Sequence, residues 1–337
     1  MRIALDASGT DDAPEIEIDG ALAALRDLDG IAITLVGDEA LIRAALAARG
    51  VEPSADLSIV HAPDQIHASD SPSTVVRRKP DSAIVRGIDL HRSGEVDAFI
   101  SAGNTGAVMA ASLFMLRPLP GVERPSVATM LPTVGAPVIL IDAGTNVDCK
   151  PKHLVQFAYL GSVYARDALG VTGRPRVGLL NIGEEPEKGD ERAIETHRLL
   201  AEDPGVNFIG NVEGRDVIRG VCDVLVADGF AGNVLLKFYE SVAQYVVGIV
   251  KRELDSHDVD LDYERVFRVL DYSEYGGAPL LGVNGLSIIC HGGSSPKAIR
   301  NAIRVAADAV RNHLVGDMAA EFADRAPGHG SQGGTPS

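Results

Sequence analysis

The stretch Val-Asp-Ala-Phe-Ile-Ser-Ala-Gly-Asn-Thr-Gly-Ala-Val-Met-Ala, residues 96–110, decides the fold. Residues 96–100 form an apolar run of strand length, and 108–116 a run of helical length. Between them lies a loop of small residues, Ser101-Ala102-Gly103-Asn104-Thr105-Gly106. A buried strand that ends in such a loop and opens a helix leaves backbone N–H groups unpaired. With the helix dipole, those donors make a site for an anion. Gly103 and Gly106 let a ligand approach the backbone, while Ser101, Asn104 and Thr105 add polar contacts. A sister unit follows at 286–289, where Cys290-His291-Gly292-Gly293-Ser294-Ser295 leads into a helix from Pro296. Two such loops in one chain point to an enzyme that handles phosphate.

Outward from these loops, strand-like and amphipathic runs alternate. Strands are expected at 3–5, 33–36, 57–60, 98–100, 138–141, 177–180, 207–209, 223–226 and 286–289. Helices are expected at 14–26, 39–48, 82–92, 105–116, 152–169, 190–201, 233–254 and 296–313. In the helix over 233–254, Leu235, Phe238, Val242, Tyr245, Val246 and Ile249 share one face. This alternation predicts an α/β fold, a Rossmann-like, largely parallel sheet covered by helices on both faces. Ligands in such sheets sit beyond the carboxyl ends of strands. The expected ends carry Asp6, Gly37-Asp38, 101–104, 142–146, 181–185, 210–214, 228–233 and His291-Gly292, and all are expected on one edge.

The 337 residues, 45% hydrophobic with 36 glycines, suit a single two-lobed α/β domain over 1–325. The tail 326–337 lacks apolar anchors and is expected to be disordered. Asp plus Glu total 47 against 31 Lys plus Arg, a net charge of −16, which argues against nucleic acid as a partner. Three scattered cysteines without a CxxC pair fit a reduced, cytoplasmic setting. No stretch of about 18 uninterrupted apolar residues exists to make a transmembrane helix, and Met-Arg-Ile-Ala-Leu-Asp opens as a strand rather than a signal peptide. The absence of a GxxxxGK[ST] run argues against a kinase or NTPase.

Seven stretches together resemble one family: SAGNTGAVMA (101–110), NVDCKPKHLVQFAYLGSVYA (146–165), GLLNIGEEPEKG (178–189), FIGNVEGRD (208–216), DGFAGNVLLK (228–237), DYSEYGGAPLLGVNG (271–285) and HGGSSPKAIRNAIR (291–304). They are similar to the bacterial phosphate acyltransferase (PlsX) family of phospholipid synthesis, and RIALDASG (2–9) is a weaker match to its start. The resemblance implies that inorganic phosphate attacks the thioester of acyl–acyl-carrier protein, giving acyl phosphate. It also implies a fold like the isocitrate and isopropylmalate dehydrogenases, a homodimer, no metal or nucleotide requirement, and a membrane glycerol-3-phosphate acyltransferase downstream. A location in the cytoplasm, peripheral at the membrane, follows. Two departures stand out. Gly9-Thr10-Asp11-Asp12-Ala13-Pro14 replaces the family's Gly-Gly-Asp-His-Ala-Pro, so a carboxylate that repels phosphate stands where the family has a histidine. The segment after the long helix is short and acidic, with Glu253, Asp255, Asp258, Asp260, Asp262 and Glu264, which argues against membrane contact there.

For this chemistry phosphate must be held in line with the carbonyl. That role is assigned to 101–106, with Asn104, Thr105 and local N–H groups as donors. Oxyanion donors are sought in Asn146, Asn181, Asn211 and the backbone at 291–293. Gly183, Glu184, Asp228, Asn233, Gly292 and Ser294 complete the expected substrate shell. Lys237 supplies charge, and His291 donates to phosphate or protonates the leaving thiolate. Cys149 offers a covalent alternative, its pKa lowered by Lys150 and Lys152. Arg77-Arg78-Lys79 and Arg300 with Arg304 are expected to dock the acidic carrier. Apolar residues of 108–116 and 234–249 are candidates for an acyl channel. Three rivals remain: a metal-dependent dehydrogenase with Mg²⁺ on Asp142, Glu184 and Asp228, a phosphotransacetylase-like enzyme using acyl-CoA, and a non-catalytic carrier-binding scaffold.

Overall fold

The computed structural model describes residues 1–67, 70–256 and 272–323. The tail 326–337 and residues 257–264 of the acidic segment lie outside them. In chain order the elements are β1 (Arg2–Asp6), α1 (Glu15–Asp27), β2 (Ala32–Gly37), α2 (Glu39–Ala48), β3 (Leu57–His61), α3 (Pro72–Arg78), α4 (Ala83–Arg92), β4 (Ala98–Ser101) and α5 (Thr105–Met115). There follow β5 (Ser126–Leu131), β6 (Val138–Ile141), α6 (Pro151–Leu169), β7 (Arg176–Asn181), α7 (Glu191–Glu202), β8 (Asn207–Glu213), α8 (Gly214–Val217), β9 (Val224–Val226) and α9 (Gly229–Ser256). A 3₁₀ turn at Tyr272–Tyr275, β10 (Ala278–Leu281), β11 (Ser287–Ile289), α10 (Pro296–Arg311) and α11 (Leu314–Ala323) complete the chain.

The eleven strands form one sheet in the order β3-β2-β1-β4-β11-β10-β5-β6-β9-β7-β8. Two apolar layers cover it. Side chains such as Ile3, Leu5 and Ile100 pack under α1, α2, α6, α10 and α11. Ala4, Phe99 and Leu140, their neighbours along the strands, point the other way, under α3, α4, α5 and α9. Gly20 of α1 lets α10 pack closely, since a Cβ there would lie 2.6 Å from Ile299.

The expected strands are all present, with small shifts of boundary, and so are the expected helices. Sequence reading missed β5 and β10, and the helices α3, α8 and α11. Pro279 inside β10, paired with Ile288, and the prolines flanking β5 (Pro125 and Pro132) mask the strand signal.

These two missed strands overturn the expectation of a single ligand edge. The pairs β11–β10, β10–β5 and β5–β6 are antiparallel, and the strands on either side are parallel among themselves. An odd number of reversals sets the two parallel halves against each other. The loops after β1, β4 and β11 therefore lie on one edge of the sheet, and those after β6, β7 and β9 on the other. The stretch at Gly210-Asn211 is not a loop at all, since it lies within β8. Helix α9, with 28 residues, is about 42 Å long and runs from the second edge toward the first.

Candidate functional site

On the first edge, β1 and β11 send their helices to one face while β4, between them, sends α5 to the other. Such a switch point opens a crevice at the carboxyl ends. Its loops are tied together from beneath. Ser101 Oγ donates to Asp6 Oδ2 at 2.7 Å and accepts the Gly103 N–H at 3.0 Å. Asp6 also accepts the Ser8 N–H and hydroxyl, at 2.9 and 2.7 Å. Cys290 N–H reaches Ser101 O at 2.8 Å, and Asp11 N–H reaches Gly292 O at 3.0 Å. Glu17, fully buried, accepts the Thr10 N–H at 2.7 Å. Burial pushes the carboxyls of both Asp6 and Glu17 up from their ordinary values, against these hydrogen bonds. Asp12 is exposed to solvent, where screening weakens the repulsion expected of it.

The caps of α5 and α10, the helices that follow β4 and β11, are neutral, while Asp38 caps α2 further along the edge. Asn104 Oδ1 accepts the Ala107 N–H at 3.0 Å, and its amide donates to His67 O at 3.2 Å, so Asn104 orders the loop with its whole side chain. Ser295 Oγ caps α10 through the Ala298 N–H at 3.2 Å. Ser294, buried, donates its N–H to His291 O at 3.0 Å. Thr105 is exposed, and Gly106 packs so close to Pro72 that a Cβ would lie 2.6 Å from the ring. Among the described residues, the N–H groups of Thr105, Gly106, Gly292, Gly293 and Ser295 have no acceptor.

The second edge repeats the switch point with β6, β9 and β7, but here carboxylates already fill the nests. Asp142 accepts the N–H groups of Gly144, Thr145 and Asn146 at 2.9, 2.7 and 2.8 Å, and the Asn146 amide at 2.7 Å. Asp228 caps α9 through Phe230 and Ala231 and holds Arg192 at 2.7 Å. The asparagines expected to face an oxyanion are spent on the loops themselves. Asn146 also donates to Pro125 O at 2.9 Å, Asn181 to Lys188 O at 3.0 Å, and Asn211 to Glu185 O at 2.8 Å. Gly183 is buried, Glu184 exposed, and Asn233 sits against Gly144. The Mg²⁺ set considered above does not converge: Asp142 and Asp228 are committed to N–H groups and Arg192, and Glu184 faces solvent.

Cys149 lies beneath this edge, its Sγ 3.2 Å from Asn146 O. Burial, with Asp142 and Asp228 nearby, pushes its thiol up to about 11. The expected help from lysines fails: Lys152 pairs with Glu123 at 2.7 Å, and Lys150, exposed, is not among the groups that perturb the thiol.

Helix α9 brings Lys237 across to the first edge. Lys237 Nζ lies 3.1 Å from Glu240 Oε2, and Glu240 Oε1 lies 3.7 Å from His291 Nε2. Sequence reading missed Glu240; its only signal was the (i, i+3) spacing from Lys237. Burial and the Lys237 charge hold the His291 imidazole below its usual value, against the pull of Glu240. Glu240, His291 and Ser294 line a narrow pocket that also touches Met130, Tyr164 and Tyr275. Met130, Tyr164 and Tyr275 also border an open cavity of about 870 Å³ that continues along α10.

The two basic clusters cannot act as one patch, because α3 and α10 cover opposite faces of the sheet. Arg77 stacks 5.5 Å over the Phe114 ring, Arg78 is exposed, and Lys79 pairs with Asp70 at 2.7 Å. Arg300 pairs with Asp27 at 2.8 Å, and Arg304 lies 3.7 Å from Asp308. The expected acyl channel also changes. In α5, Ala107, Val108 and Ala111 are buried in core, and the α9 face carrying Phe238, Val242, Tyr245, Val246 and Ile249 points to solvent. Among the described residues no helix is long and apolar enough to cross a membrane.

Residues 1–316 match the family model described as "Fatty acid synthesis protein". The phosphate acyltransferase of Geobacter sp. (strain M21) is 46% identical over 336 residues, covering 97% of this chain and 94% of that protein. That of Desulforamulus reducens is 48% identical over 322 residues, covering 94% and 95%. Among solved structures, a phosphotransacetylase from Streptococcus pyogenes superposes with a TM-score of 0.62 at 16% identity, over 92% of this chain and 94% of that one. The EutD phosphotransacetylase from Staphylococcus aureus gives 0.59 at 16% identity, with the same coverage. At that identity these two likenesses show the fold.

Proposed function

The chain belongs to the fatty acid synthesis protein family, that of the bacterial phosphate acyltransferases, and on that premise we propose that it moves a fatty acyl group from acyl–acyl-carrier protein to inorganic phosphate at the β1–β4–β11 edge. One observation carries the location: the unpaired N–H groups of Thr105, Gly106, Gly292, Gly293 and Ser295 meet between two neutral helix caps. On the other edge the corresponding N–H groups are already taken by Asp142 and Asp228, which is why the anion is placed on the first.

Phosphate held by these donors attacks the thioester carbonyl through an oxygen lone pair. As the tetrahedral adduct collapses, the carbon–sulphur bond breaks and the thiolate leaves. His291, neutral at pH 7, takes the proton that phosphate gives up and returns it to the thiolate. Glu240 stabilises the transient imidazolium, and Lys237 balances the phosphate charge. A thiolate leaves readily near neutral pH, so no stronger acid is needed. The acyl phosphate then serves a membrane glycerol-3-phosphate acyltransferase in phospholipid synthesis. A second copy of the chain covers the exposed apolar stripe of α9. Labelled phosphate incubated with protein and palmitoyl–carrier protein tests the reading. Label in an apolar acyl phosphate is expected, and label remaining inorganic defeats it.

A further inference from the structure

The cavity along α10 has no role in the chemistry just described, yet it opens into the pocket at His291 and Ser294 through Met130, Tyr164 and Tyr275. Its volume, about 870 Å³, is that of a ligand site rather than a packing fault. It lies between α10 and the end of α6. Ser294 lines the narrow pocket and Arg304 the cavity, which runs on past Arg304 to Asn312. From Pro296, the first residue of α10, to Arg304 is eight residues, about 12 Å at the α-helical rise, and the non-helical Ser294 and Ser295 add to that path.

We propose that this groove holds the phosphopantetheine arm of the thioester donor, with the arm's phosphate at Arg304 and its sulphur delivered to His291. The proposal rests on the acyl-transfer reading above and adds where the donor lies. About thirteen bonds separate phosphorus from sulphur in such an arm, and an extended chain gains about 1.2 Å per bond, so the arm spans roughly 15 Å. The wall chemistry matches its parts. Tyr164, Tyr275 and Met130 offer apolar surface for the gem-dimethyl carbon and methylenes at the narrow end. Asn301, whose Oδ1 accepts from Arg300, borders the way between Ser294 and Arg304, and Asn312 lies two turns beyond Arg304.

Arg304 is the cation placed for the phosphate. Its partners are the Glu274 carbonyl at 3.3 Å and Asp308 at 3.7 Å, beyond hydrogen-bonding reach. Arg300, one turn earlier, is committed to Asp27 at 2.8 Å. Asp167, Glu274 and Asp308 also border the cavity, so a ligand with a single anionic group at one end fits better than a polyanion.

The test compares KM values of palmitoyl-phosphopantetheine and palmitoyl-pantetheine, which differ only in the phosphate, with the full chain at saturating inorganic phosphate. The wild type is expected to favour the phosphorylated arm about tenfold. Arg304→Met should bring that ratio near one, and Arg304→Lys should restore most of it. A merely structural role for Arg304 would raise both KM values in parallel and keep the ratio, which would overturn the placement. Palmitoyl–carrier protein and palmitoyl-CoA present the same arm. Both must lose affinity in Arg304→Met, and the one with the lower wild-type KM is the donor the groove serves. A variant that binds both as the wild type does would overturn the inference. Absence of thiol release by the wild type from every thioester would instead refute the reaction itself.

Discussion

Replacing Gly9 by alanine tests whether the crevice loops act as one unit. A Cβ on Gly9 would sit 2.6 Å from Gly103 N and 2.9 Å from Ala102 N and C, where ordinary contact begins at 3.4 Å. The 102–103 backbone must then move by about 0.8 Å, or the overlap stays as strain. Backbone cannot swing aside as a side chain would. The neighbouring Ser101 O holds the Cys290 N–H at 2.8 Å, and Gly103 N–H holds Ser101 Oγ at 3.0 Å. Overpacking of this kind costs about 1–3 kcal/mol. In a chain this size that lowers Tm by only a few degrees. The kinetic effect should be larger, because a misplacement of about 1 Å in a positioning group can cost about 100-fold. The expected outcome is a kcat/KM for phosphate down by about 100-fold, with the KM for the thioester donor little changed. Initial rates of thiol release at varied phosphate, with thermal unfolding followed by circular dichroism, give both numbers. Gly214→Ala is the control, because a Cβ there meets nothing within 4 Å. A folded Gly9→Ala protein with wild-type kcat/KM for phosphate would refute the reasoning.

Other expectations follow from the same geometry. With its thiol pushed up to about 11, Cys149 is not a thiolate at pH 7, so Cys149→Ala should keep activity within about threefold; its loss would restore the covalent route. The acid limb of the kcat/KM–pH profile should fall below the ordinary histidine value, since His291 must be neutral to accept a proton. Lys237→Met should move that limb up and Glu240→Gln should move it down, and movement in the opposite senses would exclude His291 as the base. Phe238→Glu, in the exposed stripe of α9, should convert a dimer to a monomer by light scattering. Burial raises Asp167 to about 6, so the native state holds a proton that the unfolded chain releases, and its stability contribution is lost as pH rises from about 4 through 6. Asp167→Asn should therefore raise Tm at pH 7.5 by a few degrees, with the gain shrinking toward pH 4. A constant gain across that range would contradict the assignment.

Much of the fold was legible because its strands are short apolar runs and its helices carry a clean period, as in 138–141 and 296–311. The family motifs located both Gly-rich loops. What sequence could not give was direction. β5 and β10 hide among prolines, and without them the loops after β6, β7 and β9 were placed on the wrong edge. Asparagine also misled. Asn104, Asn146, Asn181 and Asn211 look like ligand donors in one dimension, yet each amide donates to a carbonyl or carboxylate of its own protein. Glu240 was unreadable because its partner His291 lies 51 residues away, brought near only by the reach of α9. The apolar periodicity of α9 signalled a helix correctly but could not tell a core face from an exposed one.

The most direct measurement is thiol release from palmitoyl–carrier protein by the purified chain, with and without inorganic phosphate. Release is expected only when phosphate is present, one thiol for each acyl phosphate formed, saturating with phosphate concentration. Equal release without phosphate, or carrier binding with no release at all, would contradict it.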